Sequence, residues 1–297
     1  MSKISRLRLS LKKTGGISEQ KCFGLGIGGQ RCGSTWIGKY LSNHPDHCMS
    51  PIKEMHIFDT IHREKVHPLR RNKLDLSKAD NQLKKSVTDI EKIIDGDMSY
   101  FRYFDERINN NHRSFGEITP EYSLLGNQFL EIIAASHGNI KLFMSLRCPT
   151  DRFLSALTYY GRKRPKFSIE RHYRKGLQKK LFCNHTRYTA NIKNILSHFP
   201  RENIYFFYYE DLFNGSTDTL FQLCDHLQIK RIHPKDNQLP YEKTINNTSK
   251  PSNTRRPNHE EMKAIYNQFR SEYEAIPDLI QQPLPQKWQE DIAQLAS

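Results

Sequence analysis

The sequence predicts a single α/β domain in which helices cover both faces of a central, mainly parallel sheet. Three short apolar runs have the length and composition of buried strands, at residues 22–27, 140–146 and 204–208. Amphipathic helix patterns separate these runs along the chain, and that alternation is typical of parallel strands joined by helices. The 297 residues can bury one sizeable core, and nothing in the sequence requires a second domain.

The predicted helices are segments in which apolar residues recur three or four positions apart. The first follows Gly33 and places Trp36, Ile37, Tyr40 and Leu41 on one face. The others are predicted at residues 81–95, 121–135, 150–160, 185–198, 217–227 and 260–276. Sheets of this class bind ligands at the carboxyl ends of their strands, so the segments after the first two predicted strands are the first candidates for a site.

Residues 28–36, with the sequence G-G-Q-R-C-G-S-T-W, connect the first predicted strand to the first predicted helix. Glycine-rich backbone can direct successive N–H groups at an anion, and a helix start adds its dipole and unpaired donors. We therefore interpret this strand, loop and helix as a P-loop-like phosphate-binding unit. A P-loop kinase motif would require Lys where Ser34 stands, and in the G-x-G-x-x-G match at Gly24, Gly26 and Gly29 the first two glycines lie inside the strand itself.

The same loop resembles the 5′-phosphosulfate loop of sulfotransferases that use 3′-phosphoadenosine 5′-phosphosulfate (PAPS). Members of that superfamily carry Lys or Arg, a small residue, Gly and two hydroxyl residues in this order, as this chain does from Arg31 to Thr35. The resemblance implies a sulfotransferase domain over residues 21–297, with PAPS as co-substrate. The implied PAPS contacts in this loop are Arg31, Cys32, Gly33, Ser34, Thr35 and Trp36.

A second segment, K-E-M-H-I-F-D at residues 53–59, resembles the E-I-H-F-F-D stretch of the heparan sulfate and carbohydrate branch of the superfamily. The Glu is the general base in that branch, which implies that Glu54 removes the proton of an acceptor hydroxyl. The resemblance further implies that His56 orients Glu54 or shares its role, and that Arg31 stabilises charge on the departing phosphate. It favours a carbohydrate hydroxyl as the acceptor.

A third segment, residues 140–155, resembles the superfamily's 3′-phosphate motif, in which an Arg ends a strand and a Ser follows eight residues later. It implies that the Arg147 guanidinium and the Ser155 hydroxyl hold the 3′-phosphate. A C-terminal stretch resembles the loop that closes over the nucleotide, which implies phosphate contacts from Lys250 and Arg255.

The sequence departs from the heparan sulfate branch at Ile118, within G-E-I-T-P-E-Y at residues 116–122. That branch has a catalytic Lys at this position. The departure indicates either a different member of the superfamily or a site in which another cation, such as Arg31, stabilises the leaving group.

The chain carries a formal net charge of +14, which favours a polyanionic partner. Nine Lys and Arg residues lie between positions 161 and 180, and we predict that this segment forms a flap that attracts an acidic acceptor. The expected partner is thus a hydroxyl-bearing acceptor, a carbohydrate with negative charge, and not nucleic acid.

Residues 1–20 are basic and lack the apolar centre of a signal peptide, and no window reaches the roughly 18 apolar residues of a membrane span. We therefore expect a mobile basic leader, followed by the domain at 21–297, in a cytoplasmic protein. The six cysteines form no C-x-x-C pair and no metal-ligand spacing with His, so we expect reduced thiols and no required metal.

Two other functions are compatible with parts of the sequence. An ATP-dependent kinase would use the loop at 28–35, but position 34 lacks the required Lys. A polyanion-binding protein without catalysis would explain the charge, but it leaves Glu54 and the spacing of Arg147 and Ser155 without a role. The sequence therefore favours sulfuryl transfer.

Overall fold

The computed structural model describes residues 1–64, 80–161, 167–237 and 257–296. The sheet of this described part has five strands: β1 (Cys22–Gly26), β2 (His47–Met49), β3 (Ser114–Ile118), β4 (Ile140–Leu146) and β5 (Ile204–Tyr208). Their order is β2-β3-β1-β4-β5, and every neighbouring pair is parallel. The predicted α/β class is confirmed, and β1 and β4, which precede the two predicted phosphate motifs, lie side by side.

Helices connect the strands and cover both faces of the sheet. Those before β4 are α1 (Lys3–Ser10), α2 (Ser34–Asn43), α3 (Ile57–Arg63), α4 (Asn81–Asp95), α5 (Tyr100–Asp105) and α6 (Asn127–Ser136). Those after β4 are α7 (Pro149–Gly161), α8 (Ile169–Leu177), α9 (Lys180–Cys183), α10 (Tyr188–Leu196), α11 (Tyr209–Leu212), α12 (Asp218–His226), α13 (His259–Ile280) and α14 (Gln286–Leu295). Short 3-10 turns lie at Ile17–Gln20, Pro120–Leu124 and Arg201–Asn203.

Side chains along the strands alternate between two apolar layers, as the two-residue period of a strand requires. In β4, Leu142, Met144 and Leu146 pack into the larger layer, together with side chains of α3, α4 and α5. Phe143 packs into the smaller layer, which α2 and α12 complete. Because both faces are covered, ligands can reach the sheet only at its edges and at the ends of its strands.

Strands β2 and β3 were not apparent in the sequence. Strand β2 has three residues, which is too short for a periodic pattern. Strand β3 is buried throughout but contains Glu117, whereas a central parallel strand is expected to be continuously apolar. Hydrogen bonds from Met55 N, 62 residues away in the sequence, and from the nearby Tyr122 hydroxyl stabilise the buried Glu117 carboxylate.

The helix predicted at residues 121–135 consists of two elements. A 3-10 turn covers Pro120–Leu124, and α6 begins only at Asn127. Leu125 has extended backbone and Gly126 is the N-cap of α6. Glycine is unfavourable inside a helix, so the chain starts a second helix there instead of extending the first.

The first residues of the chain pack on the domain, which differs from the predicted mobile leader. Helix α1 carries Leu7, and Leu11 follows one turn later, and both are buried in the larger apolar layer. The hydroxyl of Ser10 donates to the carbonyl of Ile93 on α4. Two leucines four positions apart anchor the helix, although its other side chains are largely basic and polar.

All six cysteines are buried and none forms a disulfide. Within the described ranges, no helix combines the length and apolar character needed to cross a membrane. In that same part of the chain, no group of three or more His, Cys, Asp or Glu side chains is placed to hold a metal ion.

Candidate active site

The loop after β1 runs along the end of β4 before α2 begins. Ile27 N donates to the carbonyl of Phe143 at 3.0 Å, and Gly29 N donates to the carbonyl of Ser145 at 3.3 Å. A Cβ atom on Gly28 would lie only 2.8 Å from the backbone nitrogen of Ser145. Glycine at position 28 therefore allows the loop to stay in contact with the strand.

This loop ends at Gly33, which has φ 89° in the left-handed region that glycine adopts readily. The N–H groups of Gly33, Ser34 and Thr35 donate to no acceptor among the described residues, whereas Trp36 N donates to the carbonyl of Gly33 at 2.9 Å. Three consecutive unpaired donors at the start of α2 form a place where an anion can bind.

Arg31 and Arg147 meet at the ends of β1 and β4. Arg147 Nη1 donates to the carbonyl of Arg31 at 3.2 Å, and Arg31 Nε donates to Ser155 Oγ, also at 3.2 Å. The three side chains thus come together from a loop, a strand end and the second turn of α7. We refer to the loop at 28–35 together with Arg147 and Ser155 as the phosphate wall.

Tyrosine rings help to hold both guanidinium groups. Arg31 Cζ lies 4.7 Å from the centroid of the Tyr159 ring, and Arg147 Cζ lies 4.7 Å from that of Tyr209. Arg147 Nε and Gln30 Oε1 are buried but have no hydrogen-bond partner in the described part of the chain. Buried polar atoms are normally paired, so these two atoms mark a place that suits a polar ligand.

The glutamate of the Y-E-D-L sequence at residues 209–212 supports the Arg147 side of the cleft. Glu210 accepts a hydrogen bond from Cys148 N at 2.8 Å and another from Trp288 Nε1 at 3.0 Å. The turn that follows Arg147 is thereby attached to the C-terminal helix α14.

The loop between β2 and α3 forms the opposite side of the cleft, and we refer to Lys53, Glu54 and His56 as the carboxylate wall. Glu54 has φ 55° and His56 has φ 52°, a conformation that costs a non-glycine residue of order 1–3 kcal/mol. Lys53 Nζ donates to Thr35 Oγ1 at 2.8 Å and lies 3.5 Å from Glu54 Oε1. Lys53 therefore contacts both walls.

Glu54 belongs to a row of charged side chains. Its Oε2 lies 3.5 Å from His56 Nε2, and His56 Nδ1 lies 3.2 Å from Asp59 Oδ2. Burial lowers the pKa of His56, but hydrogen bonds to Asp59 and Glu54 outweigh it and raise that pKa to about 10. Burial raises the pKa of Glu54, but His56 and Lys53 outweigh it, so the pKa lies below its usual value. At neutral pH the pair is therefore a carboxylate and an imidazolium.

The backbone of the carboxylate wall rests on side chains from the end of β3. The three consecutive N–H groups of residues 55–57 donate to Glu117, Thr119 and Tyr122. Glu117 is 1% exposed, and its burial raises its pKa to about 7. The G-E-I-T-P-E-Y motif thus supports the segment that carries Glu54.

The two walls enclose a cleft of about 480 Å³ that is lined by most of the predicted site residues. Those lining it are Arg31, Gly33, Ser34, Thr35, Trp36, Glu54 and Arg147. Ser155 and His56 join the cleft through their contacts with Arg31 and Glu54. Cys32 instead turns its thiol beneath the loop, 3.6 Å from the hydroxyl of Tyr188. The predicted contacts Lys250 and Arg255 lie outside the described residues.

Several cleft residues were not predicted from the sequence. The lining also includes Gln30, Lys39, Lys53, Tyr159, Tyr209 and Phe213. Tyr159 follows Ser155 by one turn of α7, so helical spacing could have indicated it. Lys53 directly precedes Glu54, and only the fold shows that it reaches Thr35.

The side chain of Ile118 does not face the cleft. It is 4% exposed and packs in the smaller apolar layer with side chains of α2. The position at which the heparan sulfate branch has a Lys is therefore part of the core here, and Lys53 is a cation that reaches the cleft from the neighbouring loop.

A model of the sulfotransferase family matches residues 25–234, a span that includes both walls of the cleft. The chain belongs to the sulfotransferase family. The match is to the family as a whole and does not distinguish the heparan sulfate branch. A search of curated proteins finds no match to this sulfotransferase.

Solved structures share the fold of this sulfotransferase over nearly its whole length. A sulfotransferase from Alicyclobacillus acidocaldarius has a TM-score of 0.62 and 20% identity, and covers 91% of this chain and 98% of its own. The sulfotransferase domain from the curacin biosynthetic pathway has a TM-score of 0.52 and 21% identity, and covers 93% of this chain and 97% of its own. The sulfotransferase domain from the Synechococcus PCC 7002 olefin synthase has a TM-score of 0.51 and 16% identity, and covers 96% of this chain and 97% of its own.

Proposed function

We propose that this sulfotransferase transfers a sulfuryl group from PAPS to a hydroxyl of a carbohydrate acceptor. The observation that carries the proposal is the meeting of Arg31 and Arg147, from the ends of neighbouring strands, across one cleft from Glu54. Two guanidinium groups suit a nucleotide with phosphate groups at its 5′ and 3′ positions. A carboxylate on the opposite wall suits activation of a hydroxyl.

The residues of the phosphate wall fit the nucleotide donor. Arg147 and Ser155 would hold the 3′-phosphate, and the buried Arg147 Nε supports this because no described residue pairs with it. Arg31 and the unpaired N–H groups of residues 33–35 would hold the 5′-phosphosulfate. When bound, PAPS supplies the sulfuryl group and leaves as 3′-phosphoadenosine 5′-phosphate (PAP). Side chains and amides supply the positive charge in this proposal, which includes no metal ion.

Glu54 is the proposed general base. Its pKa lies below the usual value, so it is ionised at neutral pH and can accept the proton of an acceptor hydroxyl. His56 has a pKa raised to about 10 and carries a proton at neutral pH, so it cannot act as the base there. We assign His56 the role of orienting Glu54 through their ion pair.

Arg31 and Lys53 are the proposed cations for the leaving group. Arg31 stabilises charge that develops on the departing phosphate, as preorganised donors do in other transfer enzymes. Lys53 contacts Thr35 at the start of α2 and also Glu54, so it can bring positive charge to the same region. Lys250 and Arg255, outside the described residues, remain proposed as further phosphate contacts.

The proposed acceptor is a carbohydrate with negative charge. Five basic side chains in α8, at the start of α9 and between the two helices are exposed: Arg171, Arg174, Lys175, Lys179 and Lys180. Lys175 and Lys179 line a pocket together with Tyr160, whose hydroxyl accepts a hydrogen bond from Gln30 of the phosphate wall at 3.2 Å. Cations beside an aromatic pocket suit an anionic sugar chain that reaches the cleft.

The donor can be tested by thermal unfolding in the presence of PAP, ATP with magnesium, or NAD. A ligand that binds only the folded protein raises its melting temperature, and the rise grows with the logarithm of the ratio of ligand concentration to Kd. We expect PAP to raise it and Arg147→Ala to remove most of the rise. Stabilisation by ATP with magnesium but not by PAP would favour the kinase alternative and refute this proposal.

The acceptor can be tested with radiolabelled PAPS and partially desulfated heparin, with a neutral methyl glycoside as the uncharged comparison. Replacing Arg171, Arg174, Lys175 and Lys179 by Gln should raise KM for heparin and flatten its salt dependence. A control with Gln at Lys84 and Lys92, both exposed on α4, should leave KM unchanged. Unchanged kinetics in the first variant would show that this surface does not bind the acceptor.

A further inference from the structure

The hydrogen bonds beneath the carboxylate wall form one closed network. Glu117 Oε2 accepts from Thr119 Oγ1 at 2.6 Å, and Glu117 Oε1 accepts from Tyr122 OH at 2.7 Å. Because each hydroxyl has one proton and gives it to the carboxylate, its oxygen can only accept any further hydrogen bond. The carboxylate therefore determines the direction of both hydroxyls.

Three consecutive amides of the carboxylate wall complete the network. The bonds run from Met55 N to Glu117 Oε2 at 2.9 Å, from His56 N to Thr119 Oγ1 at 3.4 Å, and from Ile57 N to Tyr122 OH at 3.1 Å. The three accepting side chains are at most 1% exposed, so water does not compete for these amides. A buried network in which every member is paired holds one geometry.

This network lies next to two residues whose backbone conformation is strained. Glu54 and His56, on either side of Met55, both have positive φ, and such conformations persist only when surrounding contacts hold them. The side chain of His56 forms no capping hydrogen bond for α3, so Tyr122 supplies the acceptor for the first N–H of that helix.

We propose that Glu117, Thr119 and Tyr122 are positioning residues that set the direction of the Glu54 carboxylate. They act through the peptide groups of residues 55–57 and do not contact the acceptor. Rotation of those peptide groups would move Glu54 away from His56 and Lys53, with which it now pairs. The proposal rests on the proposed function in which Glu54 is the general base.

The test compares Tyr122→Phe with Tyr100→Phe. Tyr100 packs against the same Phe58 ring as Tyr122, and its buried hydroxyl has no hydrogen-bond partner in the described part of the chain. In a second pair, Thr119→Val removes the hydroxyl at nearly constant size, and Thr119→Ser keeps the hydroxyl but removes the methyl group. The readouts are hydrogen exchange at residues 55–57, the pKa of His56 by NMR, PAP affinity, and kcat and KM with PAPS and partially desulfated heparin.

We expect Tyr122→Phe and Thr119→Val to speed exchange at residues 55–57 at least tenfold and to lower the pKa of His56. We expect kcat to fall roughly 10- to 100-fold, as small misplacements of catalytic groups do, while KM for PAPS and PAP affinity stay unchanged. Tyr100→Phe and Thr119→Ser should behave like the wild type. If Tyr122→Phe does not fold, the comparison of Thr119→Val with Thr119→Ser tests the proposal by the same measurements.

Two results would overturn the proposal. The first is that Tyr122→Phe and Thr119→Val both show the wild-type rate of hydrogen exchange at residues 55–57 and an unchanged pKa of His56. The other is faster exchange with an unchanged kcat, which would limit the network to a structural role. If the wild type binds PAP but transfers no sulfuryl group to any acceptor, the proposed function fails, whereas exchange and the pKa of His56 still show whether the network positions the carboxylate wall.

Discussion

The two walls of the cleft are built in different ways. The phosphate wall consists of segments that directly follow β1 and β4, and its geometry comes from two neighbouring strands that end at the same edge of the sheet. The carboxylate wall is a loop with two positive-φ residues, and side chains from the end of β3 hold it in place. One wall depends on strand order, and the other depends on hydrogen bonds between distant segments.

This difference suggests a division of work between binding and chemistry. Strand ends and helix starts are rigid and suit the recognition of a constant nucleotide, whereas a supported loop can present a base at an angle that regular structure does not offer. If the division is correct, changes in the phosphate wall that leave Arg31 intact should affect nucleotide affinity, and changes in the carboxylate wall should affect turnover.

The largest expected effect is from Glu54→Gln, which tests whether the carboxylate wall carries the chemistry. The amide cannot accept the hydroxyl proton, so kcat should fall roughly 10²- to 10⁴-fold. PAP affinity, measured by calorimetry, should remain at the wild-type value because Glu54 is on the opposite wall from Arg147. Retained turnover would show that Glu54 is not the base and would contradict the proposed division between binding and chemistry.

Arg31→Ala should have the next largest effect, because Arg31 is the residue of the phosphate wall that we propose stabilises the leaving group. Loss of one preorganised donor costs roughly 10²- to 10³-fold in kcat. Arg31→Lys, which keeps the charge, should recover part of this loss, and both variants should unfold near the wild-type temperature. Equal activity of the Ala and Lys variants would contradict a role for charge at this position.

Arg147→Ala should weaken nucleotide binding more than turnover. A charge-assisted hydrogen bond contributes about 1.5–3 kcal/mol, so PAP affinity should fall roughly 10- to 100-fold. At saturating PAPS, kcat should stay within a few fold of wild type. A selective loss of kcat would instead place Arg147 next to the reacting atoms.

Lys53→Met sharpens the comparison because Lys53 touches both walls. Its side chain is 58% exposed, so its contacts are screened and the loss should be about 1 kcal/mol or less, at most about fivefold in kcat. Lys39→Met is the matched control, since Lys39 also lines the cleft and is exposed. If both substitutions have the same effect, Lys53 contributes only to the general charge of the cleft.

The last expected effect is on stability and not on turnover, where it should be the smallest: His56 introduces a pH dependence of the free energy of unfolding. Its pKa is raised from 6.5 to about 10 by Asp59 and Glu54 against the effect of burial, so the folded state binds the proton more tightly than the unfolded state. This stabilisation is complete below pH 6.5 and is lost as the pH rises toward 10. Denaturation of the wild type and His56→Gln should therefore show a stability difference at pH 6 that narrows by pH 9.5. A difference that stays constant over this range would contradict the ion pair.

The parts of this protein that were predictable follow from local patterns. Strands β1, β4 and β5 are apolar runs, and the residues that follow β1 and β4 carry the phosphate motifs, so the class of fold and the phosphate wall were both expected. Strand β3 was missed because Glu117 interrupts its apolar pattern. Burial of α1 was missed because Leu7 and Leu11 lie among basic residues.

The amino-acid sequence by itself determined the alternation of strands and helices, the glycine positions of the loop and the identity of the charged groups, since each depends on neighbours within a few residues. Only the tertiary structure decided that Lys53 joins the two walls, that Ile118 lies in the core, and that Glu117 supports Met55 across 62 residues of sequence. The physical reason is that these contacts depend on which strands become neighbours, and strand order is a property of the whole packed sheet that no local pattern contains.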